Sequence, residues 1–185
     1  IVDPESGEQP LFNEDRTIAL AANGEIYNHR VLKAELEKKK SFSLRTKSDC
    51  EMIIPLYEEY GNDCVKMLDG MFGFVIFDSK TGEYIAARDH MGICPLYMGW
   101  ASDGSICIAS ELKAIQHLCH RFEDFPPGHL YSSKAKSYIK WHNPVWHSLD
   151  YMPTEELPLK ALREASEKAV VKRLMSDVPW GVLLS

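Results

Sequence analysis

Hydrophobic positions follow two periods along this chain, and the changes between them mark its elements. Residues 17–22 (TIALAA) form an apolar block between polar neighbours, which predicts a buried strand running straight into Asn23, Gly24 and Glu25. From about His29 to Lys39 the spacing is helical, with Val31, Leu32 and Leu36 on one face and Lys and Glu on the other. Asp49 is the N-cap signal of a second helix through Met52, Ile53, Leu56 and Tyr57, ending at Tyr60 and Gly61. Pro55 falls inside that pattern, so either a kink or a cap placed after Asp49 is expected.

The middle of the chain changes to strand texture. Residues 70–78 (GMFGFVIFD) are almost continuously apolar, as expected of a strand covered on both faces. Residues 79–82 (SKTG) read as a turn into a returning strand over 84–88. Further hairpins are predicted over 95–100 with 106–110, and over 129–131 with 138–141, with a short helix from Glu111 to Leu118 between them. Successive hairpins with a helix pair inserted early predict an antiparallel α+β layered architecture. Residues 142–157 hold two prolines and few aliphatics, the texture of a linker. Pro158 opens a helix to about Leu174 with Leu159, Leu162, Ala169 and Val170 as its apolar face. Residues 1–4 and 180–185 both read as strands in progress, the expectation for a chain cut at both ends.

Composition narrows the class. At about 150 residues per domain, 185 residues make one domain, or one and part of another. A 45% hydrophobic content excludes general disorder. Twenty-one Lys and Arg against 27 Asp and Glu, with no basic stripe, argue against a nucleic-acid or membrane-surface partner. No apolar run approaches the ~20 residues that span a bilayer. The five cysteines form no C-x-x-C, and the seven histidines are scattered, so no metal site is expected. Cys107, in an apolar stretch, is expected to be a reduced core residue, and the cysteine usage fits a reducing compartment.

Three stretches carry candidate chemistry. In residues 23–28 (NGEIYN), Asn23 and Gly24 put a side-chain amide and an unobstructed backbone N–H at a strand end, a pair able to stabilise an oxyanion. The same Asn-Gly pair is also a tight-turn signal. Asp49 is either an N-cap or, together with Glu25, a holder of a small ligand's ammonium group. In residues 88–97 (RDHMGICPLY), Arg88 and Asp89 suggest a buried ion pair that fixes a loop. A His90–Cys94 nucleophile pair is the weaker alternative.

Taken in order, NGEIYNH, SDCEMI, LDGMFGFVIFD, AARDHMGICPLYMGW, FPPGHLYSS and KRLMSDVPWGVLLS resemble the glutamine-dependent asparagine synthetases, which are class II amidotransferases. The resemblance covers essentially the whole chain. It implies an α+β fold: an incomplete αββα N-terminal-nucleophile glutaminase sandwich over residues 1–145, a linker over 146–157, and the start of an α/β ATP-pyrophosphatase domain over 158–185. It implies glutamine hydrolysis to glutamate and ammonia, then amidation of aspartate with ATP and Mg²⁺, in the cytoplasm. Asn23 and Gly24 match the family's oxyanion donors. Ile1, Val2, Asn23, Gly24, Glu25 and Asp49 match its glutamine pocket, and Leu183 and Ser185 match its ATP site. A homodimer is left open. In the family the nucleophile is an N-terminal Cys whose own α-amine acts as base. None of the five cysteines here has a free α-amine, so the 185 residues by themselves are expected to have neither activity. Two rivals remain: a non-catalytic amino-acid-binding module of the same fold, and an amidotransferase of the same plan acting on another acid. The pyrophosphate-loop-like ending argues against sister enzymes that make glucosamine phosphate or phosphoribosylamine.

Overall fold

The computed structural model describes residues 2–3, 5–154, 156 and 158–183. A two-residue strand, β1 (Leu11–Phe12), pairs with the long β2 (Ile18–Ile26). Helix α1 (His29–Glu37) follows, burying Leu32 and Leu36 while Val31 is exposed, so its apolar face is narrower than the spacing predicts. A 3₁₀ turn over Asp49–Met52 leads into α2 (Ile53–Tyr60). The α-helix is therefore capped at Met52, later than Asp49, and Asp49 makes no capping hydrogen bond. This places Pro55 in the first turn, where a missing N–H costs no intrahelical hydrogen bond and no kink is needed.

Next come β3 (Gly70–Asp78), β4 (Glu83–Arg88), β5 (Tyr97–Ala101) and β6 (Ile106–Ala109). The helix expected up to Leu118 is a single turn, α3 (Leu112–Ile115). Then β7 (Cys119–Asp124), β8 (His129–Ser132) and β9 (Ser137–Lys140) complete the strands. They form two antiparallel sheets, ordered β1-β2-β3-β4-β8-β9 and β6-β5-β7.

The alternation of side chains along β3 sets the layers. Phe72, Phe74 and Ile76 point to one face, where they meet Leu20, Ile85, Leu130 and the helical Leu36, Ile53, Ile54 and Leu56. Val75, on the opposite face, joins Ala86 and Tyr131 against Met98 of the second sheet and Leu96 and Phe125, which flank its strands. The order is thus helices, sheet, sheet, with α3 as the only helical turn described beyond the second sheet: Ile115 packs there over Gly99. This is the expected α+β sandwich with a thin fourth layer.

The last helix, α4 (Leu159–Lys172), has the predicted apolar face but buries none of its residues. Lys172 at its end reaches the Asp69 carboxylate at 2.7 Å. Beyond it, residues 180–183 form no strand, contrary to the sequence reading, and Trp180, Val182 and Leu183 are exposed. Val2 and Asp3 are also not in a strand. Asp3 adopts a positive φ and opens a turn closed by the Gly7 N–H bond to its carbonyl. Ile1 and Ser185, and with them part of both expected end strands, lie outside the described residues.

Candidate active site

Asn23 and Gly24 are not a turn. They lie inside β2, with Asn23 opposite Gly73 and Gly24 opposite Phe72. The strand expected to stop at Ala22 continues because Gly24 tolerates the very close approach of β3: a Cβ there would stand 2.0 Å from the Met71 carbonyl oxygen. Its φ of +152° adds to the requirement for glycine.

Backbone groups of alternate residues along β2 face alternate edges. On the edge away from β3, Leu20 pairs with Leu11, and Ala22 exchanges two hydrogen bonds with the Gln9 side chain at 2.6 Å each. Further along the same edge the Gly24 carbonyl accepts from the Cys50 thiol at 3.6 Å, and the Ile26 N–H donates to Asp49 Oδ2 at 2.5 Å. The Gly24 amide belongs to this edge. Here an open cleft of about 510 Å³ is lined by Val2, Gln9, Gly24, Glu25, Asp49 and Cys50, among others.

The structure therefore brings Val2, Gly24, Glu25 and Asp49 to one cleft. Asp49 is buried, and burial pushes its carboxyl pKa up, with the Glu25 charge acting in the same direction and the Ile26 hydrogen bond and His29 opposing. A cation placed beside the buried Asp49 carboxylate would favour its ionised form.

Asn23 faces the other way. Its side chain projects toward the second sheet, where Nδ2 donates to Ser110 Oγ at 3.1 Å. It lines a neighbouring groove with Gly73, Leu96 and Ile108. Asn23 and Gly24 thus present a side-chain amide on the face toward the second sheet and a backbone amide at the adjoining edge, and Gln9 lines both grooves.

The loop after β4 holds this region in place, though not as the sequence reading expects. Arg88 and Asp89 are both buried but are not each other's partners. Asp89 accepts backbone N–H bonds from Phe72, Met91, Ile93 and Cys94 at 3.0–3.2 Å. Arg88 donates to the carbonyls of Gly92, Cys94 and Phe125 and bridges to Asp124 at 3.1 Å. Arg88 is spent on loop carbonyls and Asp124, and Asp89, through the Phe72 N–H, fixes the residue opposite Gly24.

Cys50, Cys64 and Cys94 are not placed as nucleophiles. Burial pushes the Cys50 thiol far up, Cys64 to about 12 and Cys94 to about 11. All three are protonated thiols at neutral pH. Cys107 is half-buried on the outer face of the second sheet, which corrects its placement in the core.

Leu183 is fully exposed, and Ser185 lies outside the described residues. Among the described residues no cluster of three His, Cys, Asp or Glu is placed to hold a metal ion. No helix of the described residues is long and apolar enough to cross a membrane. Gln9 and Ser110 were missed by sequence reasoning. Each meets β2 through tertiary contact, Ser110 from 87 residues away, and no local pattern marks either.

Residues 1–117 match the family described as the glutamine amidotransferase domain. The chain is 57% identical over all 185 residues to asparagine synthetase [glutamine-hydrolyzing] 2 of Oryza sativa subsp. japonica, of which it spans 31%. It is equally 57% identical to the asparagine synthetase [glutamine-hydrolyzing] of Zea mays, again spanning 31%. Among solved structures, the glutamine phosphoribosylpyrophosphate amidotransferase of B. subtilis superposes with a TM-score of 0.60 at 28% identity, covering 72% of this chain and 32% of that one. The allosteric regulatory enzyme of purine biosynthesis superposes with a TM-score of 0.62 at 28% identity, covering 76% of this chain and 32% of that one. This chain belongs to the glutamine amidotransferase domain family.

Proposed function

We propose that these residues form the glutamine-binding part of an asparagine synthetase, releasing ammonia from glutamine for the amidation of aspartate with ATP. The observation that carries this reading is the convergence of Gly24, Glu25 and Asp49 on one acidic cleft along the edge of β2. The two carboxylates hold the α-ammonium of glutamine, with Val2 in the wall of the cleft and Ile1 assigned to the same pocket by the family resemblance alone. The Asn23 side-chain amide and the Gly24 N–H donate to the oxygen that becomes negative when the γ-amide carbon is attacked. One such donor is worth about 10²–10³ in rate. The five cysteines of this chain do not supply the attacking thiol, since none has a free α-amine, and burial keeps Cys50, Cys64 and Cys94 protonated. In the same reading residues 1–145 are the glutaminase unit, 146–157 a linker and 158–183 the beginning of the ATP-using unit. Leu183 and Ser185 contact ATP, Mg²⁺ accompanies it, and the protein works in the cytoplasm, as a homodimer.

The identity to the rice and maize enzymes favours aspartate as acceptor. Phosphoribosylamine synthesis, suggested by the fold neighbours alone, rests on only 28% identity. The natural gene product carrying these residues, given amide-¹⁵N-glutamine, aspartate and ATP, is expected to form ¹⁵N-asparagine. Label recovered only as free ammonia, or on another acid, contradicts the assignment.

A further inference from the structure

The pairing of β1 with β2 sets Leu11 opposite Leu20 and Phe12 opposite Ala19, a register that puts position 9 opposite Ala22. β1 ends before that position, and there the Gln9 side chain makes the pairing. Its Nε2 donates to the Ala22 carbonyl at 2.6 Å, and its Oε1 accepts from the Ala22 N–H at 2.6 Å. A side-chain amide carries the donor and acceptor of a peptide group, so one side chain stands in for a strand residue. A backbone continuing in register would run on along β2 past Asn23 and Gly24. With a side chain in its place the edge opens instead into two spaces. One is the cleft that Gln9 lines with Gly24, Glu25 and Asp49, and the other is the groove of about 200 Å³ that it lines with Ala22 and Asn23.

We propose that Gln9 is a positioning residue for the two oxyanion donors: it fixes the strand segment that carries Asn23 and Gly24 while keeping the space beside them open to substrate. On its inner edge this segment is held by β3, with Asn23 opposite Gly73 and Gly24 opposite Phe72. On its outer edge Gln9 ties both peptide groups of Ala22, the residue immediately before the donors. Losing that tie lets the peptide unit between Ala22 and Asn23 rotate, which turns the Asn23 side chain and the Gly24 N–H away from a common target. Glu25 and Asp49 are anchored separately, Asp49 by the Ile26 N–H beyond Gly24. Removal of Gln9 therefore disturbs the step in which negative charge forms on the amide oxygen more than it disturbs capture of the ammonium group. Gln9 acts through β2 and need not touch the substrate. The inference rests on the reading of Asn23 and Gly24 as oxyanion donors and of Glu25 and Asp49 as holders of the ammonium group.

The test compares the natural gene product with two variants. Gln9→Met matches the length of the side chain without its amide. Gln9→Glu keeps the acceptor but sets a negative oxygen against the Ala22 carbonyl. Both should lower kcat for ammonia release from glutamine by about 10–100-fold, the range for a misplaced catalytic group. The KM for glutamine should stay within about threefold of wild type, because the groups that bind the ground state are untouched. Wild-type kcat in either variant, a rise in KM with kcat unchanged, or loss of the fold overturns the proposal. Hydrogen exchange reads the anchoring without any activity. In Gln9→Met the Ala22 amide should exchange about tenfold faster, the worth of one hydrogen bond, while residues 70–78 of β3 exchange as in wild type. Equal exchange at Ala22 overturns the proposal as well. Absence of any glutamine hydrolysis by the wild-type protein counts instead against the functional reading, since exchange is scored without it.

Discussion

Two amphipathic helices of this chain meet opposite fates. In α2, Ile53, Ile54, Pro55 and Leu56 are all buried against β3 and its neighbours. In α4, an apolar face of comparable regularity buries none of its residues, and Leu159, Leu162, Val170 and Val171 are exposed. The pattern of apolar positions states which face seeks cover. Whether cover exists is a property of the sheet: the face of β3 toward α2 presents Phe72, Phe74 and Ile76, while α4 touches the sandwich through polar and aromatic contacts, Lys172 with Asp69 and Arg173 over Tyr27. One helix is held by desolvated area, the other by surface charge. Surface ion pairs of the second kind are worth about 0–1 kcal/mol each.

The largest expected effect lies where the chain tolerates no change of shape. Gly24→Ala drives a methyl into the Met71 carbonyl, and the variant should either fail to fold or lose more than about 3 kcal/mol by urea unfolding. Phe74→Ala, which removes the centre of the packing under α2, should cost about 3–5 kcal/mol in the same assay. Leu162→Ala in α4 should change stability by less than about 0.5 kcal/mol, since it removes no described contact. A large loss from Leu162→Ala would mean that α4 is covered in solution and would erase the contrast.

A pH titration sharpens the same contrast, because α4 carries no buried carboxylate and the cleft beside α2 does. The folded-state pKa of Asp49 lies above its ordinary 3.8, so the folded chain keeps a proton that the unfolded chain has lost. The stability contributed at this residue is complete below pH ~3.8 and falls as pH rises through the folded pKa. Ammonium binding should strengthen over the same window, because it needs the ionised form. Asp49→Asn should flatten both curves.

The hairpins and the helix pair are legible in the sequence because their apolar positions repeat at 2 or 3.6 residues and their turns carry Gly. β7 escaped notice since its six residues (CHRFED) are mostly polar and exposed, and only pairing with β5 makes it a strand. Asn23-Gly24 misled for a similar reason. Locally the pair is a turn signal, and only the approach of Met71 shows why a glycine stands in mid-strand. The site residues Glu25 and Asp49 were readable as acids beside a strand end and a helix start, but their meeting at one cleft is tertiary. Arg88 and Asp89 were readable as buried, yet their partners are loop amides and carbonyls that no spacing announces.

The central claim is that Asp49 and Glu25 receive the α-ammonium group of glutamine. The most direct test compares, in the natural gene product and its Asp49→Asn variant, the kcat/KM for ammonia release from glutamine with that from glutaramate, which lacks the α-amino group. With Asp49 in place, glutamine should be preferred by about 10–150-fold, the worth of a hydrogen bond to a charged group of about 1.5–3 kcal/mol. Asp49→Asn should lower the glutamine rate and leave the glutaramate rate nearly unchanged, collapsing most of that preference. A preference that survives the substitution intact would show that the ammonium group is held elsewhere.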